Sequence, residues 1–455
     1  MAALTNNTRV LVIGAGAMGA GIAHVAAVAG HSVYLYDTRS EAVAAGLAGI
    51  AKDLRFLASK GKLSEVNAEA AIARVLPTTT LADAADAGLA IEAIVENLEI
   101  KQRLLKELEG LLAENAILAT NTSSLSVTAL ASVLARPQQC AGMHFFNPAP
   151  RMKLVEIVSG LATAPAVAEI LHATAKAWGK VAVHARSTPG FIVNRVARPY
   201  YGEALRVLGE GAADVPTLDA IMREACGFPM GPFELMDLIG HDVNFAVSRS
   251  VCDAYFGDRR FTPSLIQQEL VFAGRLGRKS GRGFYDYAAD AVKGGAHAEP
   301  ACPGAAGVTL VGDPGVAMAL VERLAQQGVS VERAPAQGAS AWFEIGEARL
   351  ALSDGRTATR RAAEDHCPNL VLFDLCLDYA ATPRMALARA DQCDAVAYAL
   401  VVGTLQQAGL TVSRIDDVAG MIALRTVAML ANEAADGVLA GIGSAPDVDT
   451  AMRFG

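Results

Sequence analysis

The sequence of 455 residues lacks any long run of lysine and arginine, and its formal net charge is −8, from 39 basic and 47 acidic residues. Nucleic-acid backbones select basic runs or stripes that mix basic and aromatic residues. We therefore expect no nucleic-acid partner. Aromatic residues make up only 5% and charged residues 19% of the chain, whereas 52% are hydrophobic. This composition is typical of packed globular proteins and excludes general disorder.

The chain also lacks a cysteine framework and a long apolar segment. Its seven cysteines are odd in number and include no C-x-x-C pair, which argues against disulfides and a zinc site and favours a cytoplasmic location. The apolar stretch near the N-terminus is interrupted by Gly14, Gly16, Gly19, Gly21 and His24 and has neither a cationic leader nor a cleavage site. We expect no export signal, no membrane association and no metal.

The length predicts about two to four domains, and short apolar runs alternate with helical patterns in the first part of the chain. The chain opens with a strand at Val10 to Ile13, a helix at Ala17 to Ala29 and a strand at Val33 to Tyr36. Further strands are predicted at Leu89 to Ile94, Ala116 to Thr120, Ala141 to Phe146, Leu154 to Val158 and Val181 to His184, with a helix at Leu98 to Leu112. This alternation predicts an α/β domain over 1–187 with a mainly parallel sheet.

After Thr188-Pro189-Gly190 the strand pattern stops, and helices at Asn194 to Leu208 and Thr217 to Ala225 predict an all-α domain over 188–287. Residues 288–306 are rich in Ala, Gly and Pro without periodicity and are predicted to form a linker.

The second half of the chain repeats part of the first at a constant shift of 230 residues. Eight identities follow this register without a gap: Gly190/Gly420, Arg195/Arg425, Glu203/Glu433, Ala204/Ala434, Pro216/Pro446, Asp219/Asp449, Met222/Met452 and Arg223/Arg453. We infer an internal duplication, with a degenerate α/β region over 307–414 and a second helical domain over 415–455. The second copy ends within its repeat, so its helical domain is predicted to be truncated.

A glycine loop follows the first strand. Gly14, Gly16 and Gly19 form the pattern G-x-G-x-x-G, which permits a tight turn, the approach of a pyrophosphate and close packing of helix on strand. Asp37 ends the second strand 23 residues after Gly14, where its carboxylate can accept both adenosine ribose hydroxyls. The α/β domain is therefore predicted to be an NAD-binding Rossmann-type domain. Arg39 leaves NADP open as an alternative, because a guanidinium could neutralise a 2′-phosphate.

Four further side chains lie where ligands bind in such sheets. Glu96 and Lys101 occur where a strand gives way to a helix, and a solvated charge pair is the alternative interpretation. His144 ends an apolar strand, and Glu156 follows 12 residues later inside another apolar run, where a carboxylate needs a partner. From the pattern alone, these two residues are either an acid–base pair or hydrogen-bonded core residues.

Several long motifs make the chain resemble the L-3-hydroxyacyl-CoA dehydrogenase family from residue 9 to about residue 287. These motifs are Asn121-Thr122-Ser123-Ser124-Leu125, His144-Phe145-Phe146-Asn147-Pro148, Met152-Lys153-Leu154-Val155-Glu156, Thr188-Pro189-Gly190-Phe191-Ile192-Val193-Asn194-Arg195, Phe228-Pro229-Met230-Gly231-Pro232-Phe233-Glu234-Leu235 and Gly277-Arg278-Lys279-Ser280-Gly281-Arg282-Gly283-Phe284-Tyr285.

The resemblance implies an acyl-CoA substrate and a role for each motif residue. His144 would remove the proton of the 3-hydroxyl while hydride passes from C3 to NAD, and Glu156 would orient the imidazole. Ser123 and Asn194 would hold the reacting oxygens. The residues expected to contact the cofactor are Gly14, Gly16, Met18, Gly19, Asp37, Glu96, Lys101, Asn121 and Asn147, and Asn147 is also expected to support His144 locally. Lys60 and Lys62 could meet CoA phosphates, although a solvated basic turn is equally compatible with the sequence.

The second copy lacks parts of this site, because Asn194 corresponds to Leu424 and Thr188-Pro189-Gly190 to Val418-Ala419-Gly420. Asp313 and Pro314 place a negative charge and remove an N–H near the corresponding phosphate loop. We expect one NAD site per chain. The second half is predicted to supply helical surface that single-copy relatives obtain by dimerising, and a homo-oligomer is the alternative.

The substrate is less sharply predicted. The double-copy layout resembles enzymes of phenylacetate degradation that act on 3-hydroxyadipyl-CoA, and 3-hydroxybutyryl-CoA, from fatty acid metabolism, is the nearest rival. Relatives that oxidise free hydroxy acids such as L-gulonate, and a non-catalytic crystallin relative, define the alternatives to a CoA thioester dehydrogenase.

Overall fold

The computed structural model describes residues 2–291, 294–336 and 341–455. The chain forms two compact units. The first comprises Met1–Ala197 together with Glu433–Gly455, and the second comprises Arg198–Asn432. Within the described ranges, no helix combines the length and the apolar character needed to span a membrane.

The first unit is built on an eight-stranded sheet in the order β3-β2-β1-β4-β5-β6-β7-β8. Its strands are β1 Val10–Ile13, β2 Val33–Tyr36, β3 Val75–Thr78, β4 Leu89–Glu92, β5 Ile117–Thr120, β6 Cys140–Phe145, β7 Leu154–Ser159 and β8 Val181–Arg186. Its helices are α1 Ala17–Val28, α2 Ser40–Ser59, α3 Glu65–Arg74, α4 Leu98–Leu111, α5 Val127–Ala131, α6 Pro165–Ala177 and α7 Val193–Val196. The predicted Rossmann-type architecture is confirmed.

The sheet is parallel except between β6 and β7, which pair antiparallel. The strands β1, β4 and β5 are buried along their whole length, which accounts for their continuous apolar sequences. The sequence pattern does not predict β3, because Pro77 interrupts it. Proline is tolerated there since β3 lies at the edge of the sheet and pairs only with β2.

The last residues of the chain pack onto this first sheet. The helix α16, Ala423–Leu439, enters the first unit at Glu433, and α17, Ala445–Phe454, follows it. Ile442, Val448 and Ala451 share one hydrophobic cluster with residues of β7 and β8. The second copy thus covers one end of the sheet of the first copy.

The second unit begins with helices and continues into a second sheet. Its helices are α8 Arg198–Gly209, α9 Val215–Ala220, α10 Pro232–Ile239, α11 His241–Ala254, α12 Leu265–Phe272, α13 Met318–Gln326, α14 Ala358–Glu364 and α15 Ala395–Gln407. The strands are β9 Gly307–Val311, β10 Ser330–Ala334, β11 Trp342–Ile345, β12 Ala348–Leu352, β13 Leu370–Phe373, β14 Arg384–Arg389 and β15 Thr411–Arg414, in the order β10-β9-β11-β12-β13-β14-β15.

Two predicted helices differ from the observed ones. The helix expected from Asn194 to Leu208 is divided into α7 and α8 around Ala197, because Pro199 has no N–H to donate to the carbonyl of Arg195. The helix expected from Thr217 begins earlier, at Val215, where the side chain of Asp214 accepts the N–H of Thr217. It then continues as a π-helix from Ile221 to Ala225.

Part of the segment 288–306 is held against the second sheet. The N–H of Glu299 donates to the carbonyl of Val412 in β15 over 2.8 Å. The N–H of Ala305 donates to the hydroxyl of Thr404 in α15 over 3.0 Å. These bonds place the end of the segment in the second unit.

The backbone repeats the 230-residue register found in the sequence. β7 and β14 begin 230 residues apart, as do β8 and β15, and α6 has the same offset from α15. The turn Gly190–Phe191, with φ of 79° and 48°, returns as Gly420–Met421, with φ of 75° and 52°. The internal duplication is therefore confirmed in three dimensions.

Two ion pairs connect the copies reciprocally. Within the first unit Arg195 of the first copy pairs with Glu433 of the second copy, N to O 2.5 Å. Within the second unit Arg425, the counterpart of Arg195, pairs with Glu203, the counterpart of Glu433, over 2.7 Å. Each unit therefore contains the same type of ion pair between a residue of the first copy and a residue of the second copy.

We expect Glu433→Gln to lower the free energy of unfolding by about 1–3 kcal/mol, because the buried guanidinium of Arg195 loses one carboxylate and keeps the partly exposed one of Asp436. The side chains of Arg195 and Glu433 are almost fully buried, at 3% and 1% exposure. The matched control is Glu210→Gln, which removes a partly exposed partner of Arg425 and should cost about 1 kcal/mol or less. Urea denaturation followed by circular dichroism measures both, and equal losses would contradict the importance of the buried pair.

Candidate active site

Several of the predicted site residues lie at the carboxyl ends of parallel strands. Gly14 follows β1, Asp37 follows β2, Glu96 follows β4, Asn121 follows β5, and His144 is the penultimate residue of β6. In parallel sheets these ends share one edge, where ligands bind. A cleft of about 420 Å³ at this edge has Gly16 and Asn147 among its lining residues.

The glycine loop fits a dinucleotide. Gly14 has a φ of +102°, and a Cβ there would lie 2.5 Å from the carbonyl oxygen of Ala93. A Cβ on Gly19 would lie 1.7 Å from the carbonyl oxygen of Gly14, so this glycine lets α1 approach β1. A Cβ on Gly16 would meet nothing within 4 Å, which leaves the backbone open to a pyrophosphate at the start of α1. Met18 packs against the hydrophobic core below the loop.

Asp37 ties the end of β2 to the glycine loop. One carboxylate oxygen accepts the N–H of Ala15 over 2.8 Å, and the other accepts the N–H of Arg39 over 3.0 Å. The guanidinium of Arg39 lies 3.9 Å from this carboxylate and is mostly exposed. A carboxylate held here can accept ribose hydroxyls and repels a 2′-phosphate, which favours NAD.

His144 and Glu156 form a buried pair. They lie directly opposite each other in the antiparallel register of β6 and β7, and Nδ1 of His144 is 2.7 Å from the carboxylate of Glu156. An ionised carboxylate only accepts, so Nδ1 carries the proton and Nε2 has the free electron pair of a base. The rings of Phe146 and Phe191 contact the imidazole at centroid distances of 4.6 and 5.7 Å and complete its surroundings.

The second oxygen of Glu156 anchors the segment that carries Asn194. It accepts the N–H groups of Ile192 and Val193, both over 3.0 Å. These are the two residues before Asn194, which lies in α7 and is half-buried. One carboxylate therefore fixes both the base and the backbone of the amide residue.

Glu96 holds the loop that contains Ser123. Its carboxylate accepts the hydroxyl of Thr122 over 2.5 Å, the N–H of Ser123 over 3.0 Å and the N–H of Ser124 over 3.1 Å. Burial opposes the ionisation of Glu96, but these bonds and the ammonium of Lys101 outweigh burial and lower its pKa. Among the described residues the hydroxyl of Ser123 has no protein partner, so it can point to a ligand.

Lys101 belongs to a buried charge cluster of which the sequence pattern indicates only Lys101 and Glu96. Its ammonium is 2.7 Å from Glu92 and 3.4 Å from Glu96, and its side chain is 1% exposed. Glu92, which also accepts the hydroxyl of Thr120, was missed. Glu92 could have been predicted from the sequence, because a carboxylate in the apolar run of β4 needs a partner just as Glu156 does.

The two asparagines occupy different places. Asn121 accepts the N–H of Phe145 over 2.8 Å and so holds the end of β6 beside His144. Asn147 is exposed and lines the cleft with Gly16. No hydrogen bond joins Asn147 to His144 in the described part of the chain, where Nδ1 of His144 bonds to Glu156 instead. The loop after Asn147 is held by Lys180, which the sequence analysis did not single out and which donates to the carbonyls of Ala149 and Met152 over 2.6 and 2.9 Å.

The two lysines proposed for CoA lie after α2. The ammonium of Lys60 sits 5.6 Å from the ring centroid of Phe56. Lys62 lines a cleft of about 650 Å³, together with Phe56, Arg151 and Lys180. This cleft combines two aromatic rings, of Phe56 and Trp178, with three cationic side chains and the carboxylate of Asp53.

The second copy keeps the anchor and loses the base. In the 230-residue register His144 corresponds to Asp374 and Glu156 to Ala386. The buried carboxylate of Asp374 accepts the N–H groups of Ile422, Ala423 and Leu424 at 2.7–3.0 Å. Asp374, at the position of the histidine, thus accepts the N–H groups at the start of the helix, as Glu156 does in the first copy. The side chain of Asp313 accepts the N–H of Gly315 over 2.9 Å, at the loop where a phosphate would need that donor.

We expect Gly16→Ala to weaken NAD binding at least about tenfold while leaving the fold intact, because the added methyl group meets no protein atom but occupies the space beside the pyrophosphate. Gly110→Ala is the control, since its Cβ is equally unobstructed in α4. Fluorescence titration with NADH measures the affinity, and unchanged binding in Gly16→Ala would argue against a dinucleotide at this loop.

Comparison with known proteins agrees with this geometry. Residues 9–188 match the 3-hydroxyacyl-CoA dehydrogenase NAD binding domain, residues 190–287 the C-terminal domain of that family, and residues 350–418 the 3-hydroxybutyryl-CoA dehydrogenase reduced Rossmann-fold domain. The chain is 44% identical to 3-hydroxyadipyl-CoA dehydrogenase of Escherichia coli K12, over 99% of this chain and 89% of that protein.

One solved structure and one shorter relative are also similar to this chain. The crystal structure of 3-hydroxybutyryl-CoA dehydrogenase from E. coli K12 matches with a TM-score of 0.88 and 43% identity, over 99% of this chain and 89% of that one. The 3-hydroxybutyryl-CoA dehydrogenase of Clostridioides difficile is 41% identical over 61% of this chain and 99% of its own length. With NAD as the cofactor of its first domain, the chain belongs to the 3-hydroxyacyl-CoA dehydrogenase family.

Proposed function

We propose that this chain oxidises an L-3-hydroxyacyl-CoA to the 3-oxoacyl-CoA, with His144 as the base. The single observation that supports this most strongly is the bond from Nδ1 of His144 to Glu156, which leaves Nε2 to accept a proton. A neutral imidazole with an unoccupied ring nitrogen can accept a proton directly, without a metal ion.

The reaction divides between the cofactor and the protein. NAD, when bound, supplies the acceptor for the hydride that leaves C3 of the substrate. Nε2 of His144 takes the proton of the 3-hydroxyl as the carbon–oxygen double bond forms. The carboxylate of Glu156 stabilises the imidazolium, while Ser123 and Asn194 hydrogen-bond the substrate oxygens and keep C3 in place.

For the substrate we propose 3-hydroxyadipyl-CoA, because the relative of that name matches over 99% of this chain, including the second copy. The E. coli structure titled 3-hydroxybutyryl-CoA dehydrogenase makes 3-hydroxybutyryl-CoA the second candidate. The cationic cleft of Lys62, Arg151 and Lys180 supports a phosphate-bearing CoA thioester over a free hydroxy acid. An intact His144–Glu156 pair gives no support to a non-catalytic role.

For the second copy we propose a structural role, in which its helices pair with those of the first copy in place of a second subunit. The reciprocal pairs of Arg195 with Glu433 and of Arg425 with Glu203 support this proposal. The Glu433→Gln variant tests the pairing directly.

We expect His144→Ala to reduce kcat by about 10²–10⁴-fold, the usual contribution of a positioned base, with little change in NAD affinity. The control is His31→Gln, which alters another buried histidine of the same unit, whose Nδ1 hydrogen-bonds the carbonyl of Thr8. Turnover is followed by the absorbance of NADH. A His144→Ala variant with near-normal turnover would show that the base lies elsewhere.

A panel of three substrates tests the acyl preference. We expect kcat/KM to be at least about tenfold higher for 3-hydroxyadipyl-CoA than for 3-hydroxybutyryl-CoA, which corresponds to about 1.4 kcal/mol of differential transition-state binding. Free 3-hydroxyadipate, which lacks CoA, should be turned over least. The reverse order of the two thioesters would favour the second candidate, and fastest turnover of the free acid would overturn the CoA assignment.

A further inference from the structure

Three metal-ligating side chains meet outside the active site. Glu169 and His172 lie one turn apart on α6, and His184 lies on β8, the strand against which α6 packs. One potential ligand atom from each of the three lies within 4.8 Å of the others. Nε2 of His184 is 3.5 Å from a carboxylate oxygen of Glu169, and the two imidazole rings stack with centroids 4.4 Å apart.

The ring of His172 is oriented as in many metal sites. Its Nε2 is 3.1 Å from the carbonyl oxygen of Ala182, a group that can only accept. Nε2 therefore carries the proton, and Nδ1 keeps its electron pair. Metal-bound histidines commonly donate their second ring N–H to a backbone carbonyl, which fixes the tautomer and the ring plane.

Binding one ion requires one of the two rings to turn. The rings of His172 and His184 are stacked at an interplanar angle of 18°, and an imidazole donates its electron pair in the plane of its ring. The side chain of His184 is 36% exposed, so its ring can turn toward the site while the bond to Ala182 holds the ring of His172.

We propose that Glu169, His172 and His184 form a site for one zinc ion, with water completing the coordination. Two nitrogen ligands and one carboxylate oxygen are a donor set that zinc accepts, whereas calcium and magnesium prefer oxygen alone. Ligands 2.0–2.2 Å from a tetrahedral ion are separated by about 3.4 Å. The distance of 3.5 Å between Glu169 and His184 already fits, and the half-exposed side chain of Glu169 can adjust to the third ligand.

The ion would act as a clip between α6 and β8. It lies apart from the glycine loop, and its nearest connection to the base is through the sheet, where Val183 of β8 pairs with Glu156 of β7. Zinc is therefore expected to stabilise the first unit without entering the reaction. The sequence predicts no metal because 12 residues separate the two histidines. Only the packing of α6 on β8 brings them together.

Titration of the full chain, free of any histidine tag and treated with a chelator, tests the site. We expect calorimetry with zinc chloride to show one ion bound per chain and the melting temperature to rise. His172→Gln and His184→Gln should each weaken zinc binding at least about tenfold, which is the loss seen even when a supporting residue is removed. Glu169→Ala changes a partly exposed side chain and should weaken it without unfolding the protein.

The matched control is His366→Asn, which removes an exposed histidine at a positive φ that asparagine tolerates. Its zinc affinity should equal that of the unaltered chain. Turnover of the thioester substrate serves as the check that each variant is folded. The proposal is overturned if the unaltered chain binds no zinc, or if zinc binding survives unchanged in all three ligand variants, since the ion would then sit elsewhere, such as on the free thiols.

Discussion

The buried carboxylate of Glu156 is the interaction on which the active site depends. Its two oxygens make different bonds, one to Nδ1 of His144 and the other to the N–H groups of Ile192 and Val193. A buried carboxylate without partners would be strongly destabilising, so its three donors are also what makes its position tolerable. The same carboxylate therefore fixes the imidazole of His144 and the start of α7, the helix that contains Asn194.

The duplicated half shows which part of this arrangement is structural. Asp374 replaces the histidine and Ala386 replaces the glutamate, yet the N–H groups of the equivalent helix start are still accepted by a buried carboxylate. The helix N-terminus needs an acceptor whether or not a reaction takes place, since its first N–H groups have no partner within the helix. The second copy has therefore kept the carboxylate that accepts the backbone N–H groups and lost the histidine–glutamate pair.

At the edge of the sheet that binds the cofactor, buried charged side chains also stabilise a loop. Lys101 neutralises Glu92 inside the sheet and approaches Glu96. Glu96 in turn holds the backbone of Ser123 and Ser124. Glu96 and Lys101, which the sequence predicts as cofactor contacts, therefore also stabilise the loop that contains Ser123.

The sequence by itself determined those features that depend on neighbours along the chain. The loop from Gly14 to Gly19, the strands Val10–Ile13 and Val33–Tyr36 and the duplication were readable because turn geometry, periodicity and repeat spacing are local properties. β3 was not readable, because Pro77 is acceptable only at an edge that the fold creates. The opposition of His144 and Glu156, the partner of Lys101 and the meeting of Glu169 with His172 and His184 were decided by tertiary structure, since strand register and helix packing bring together residues that no local pattern connects.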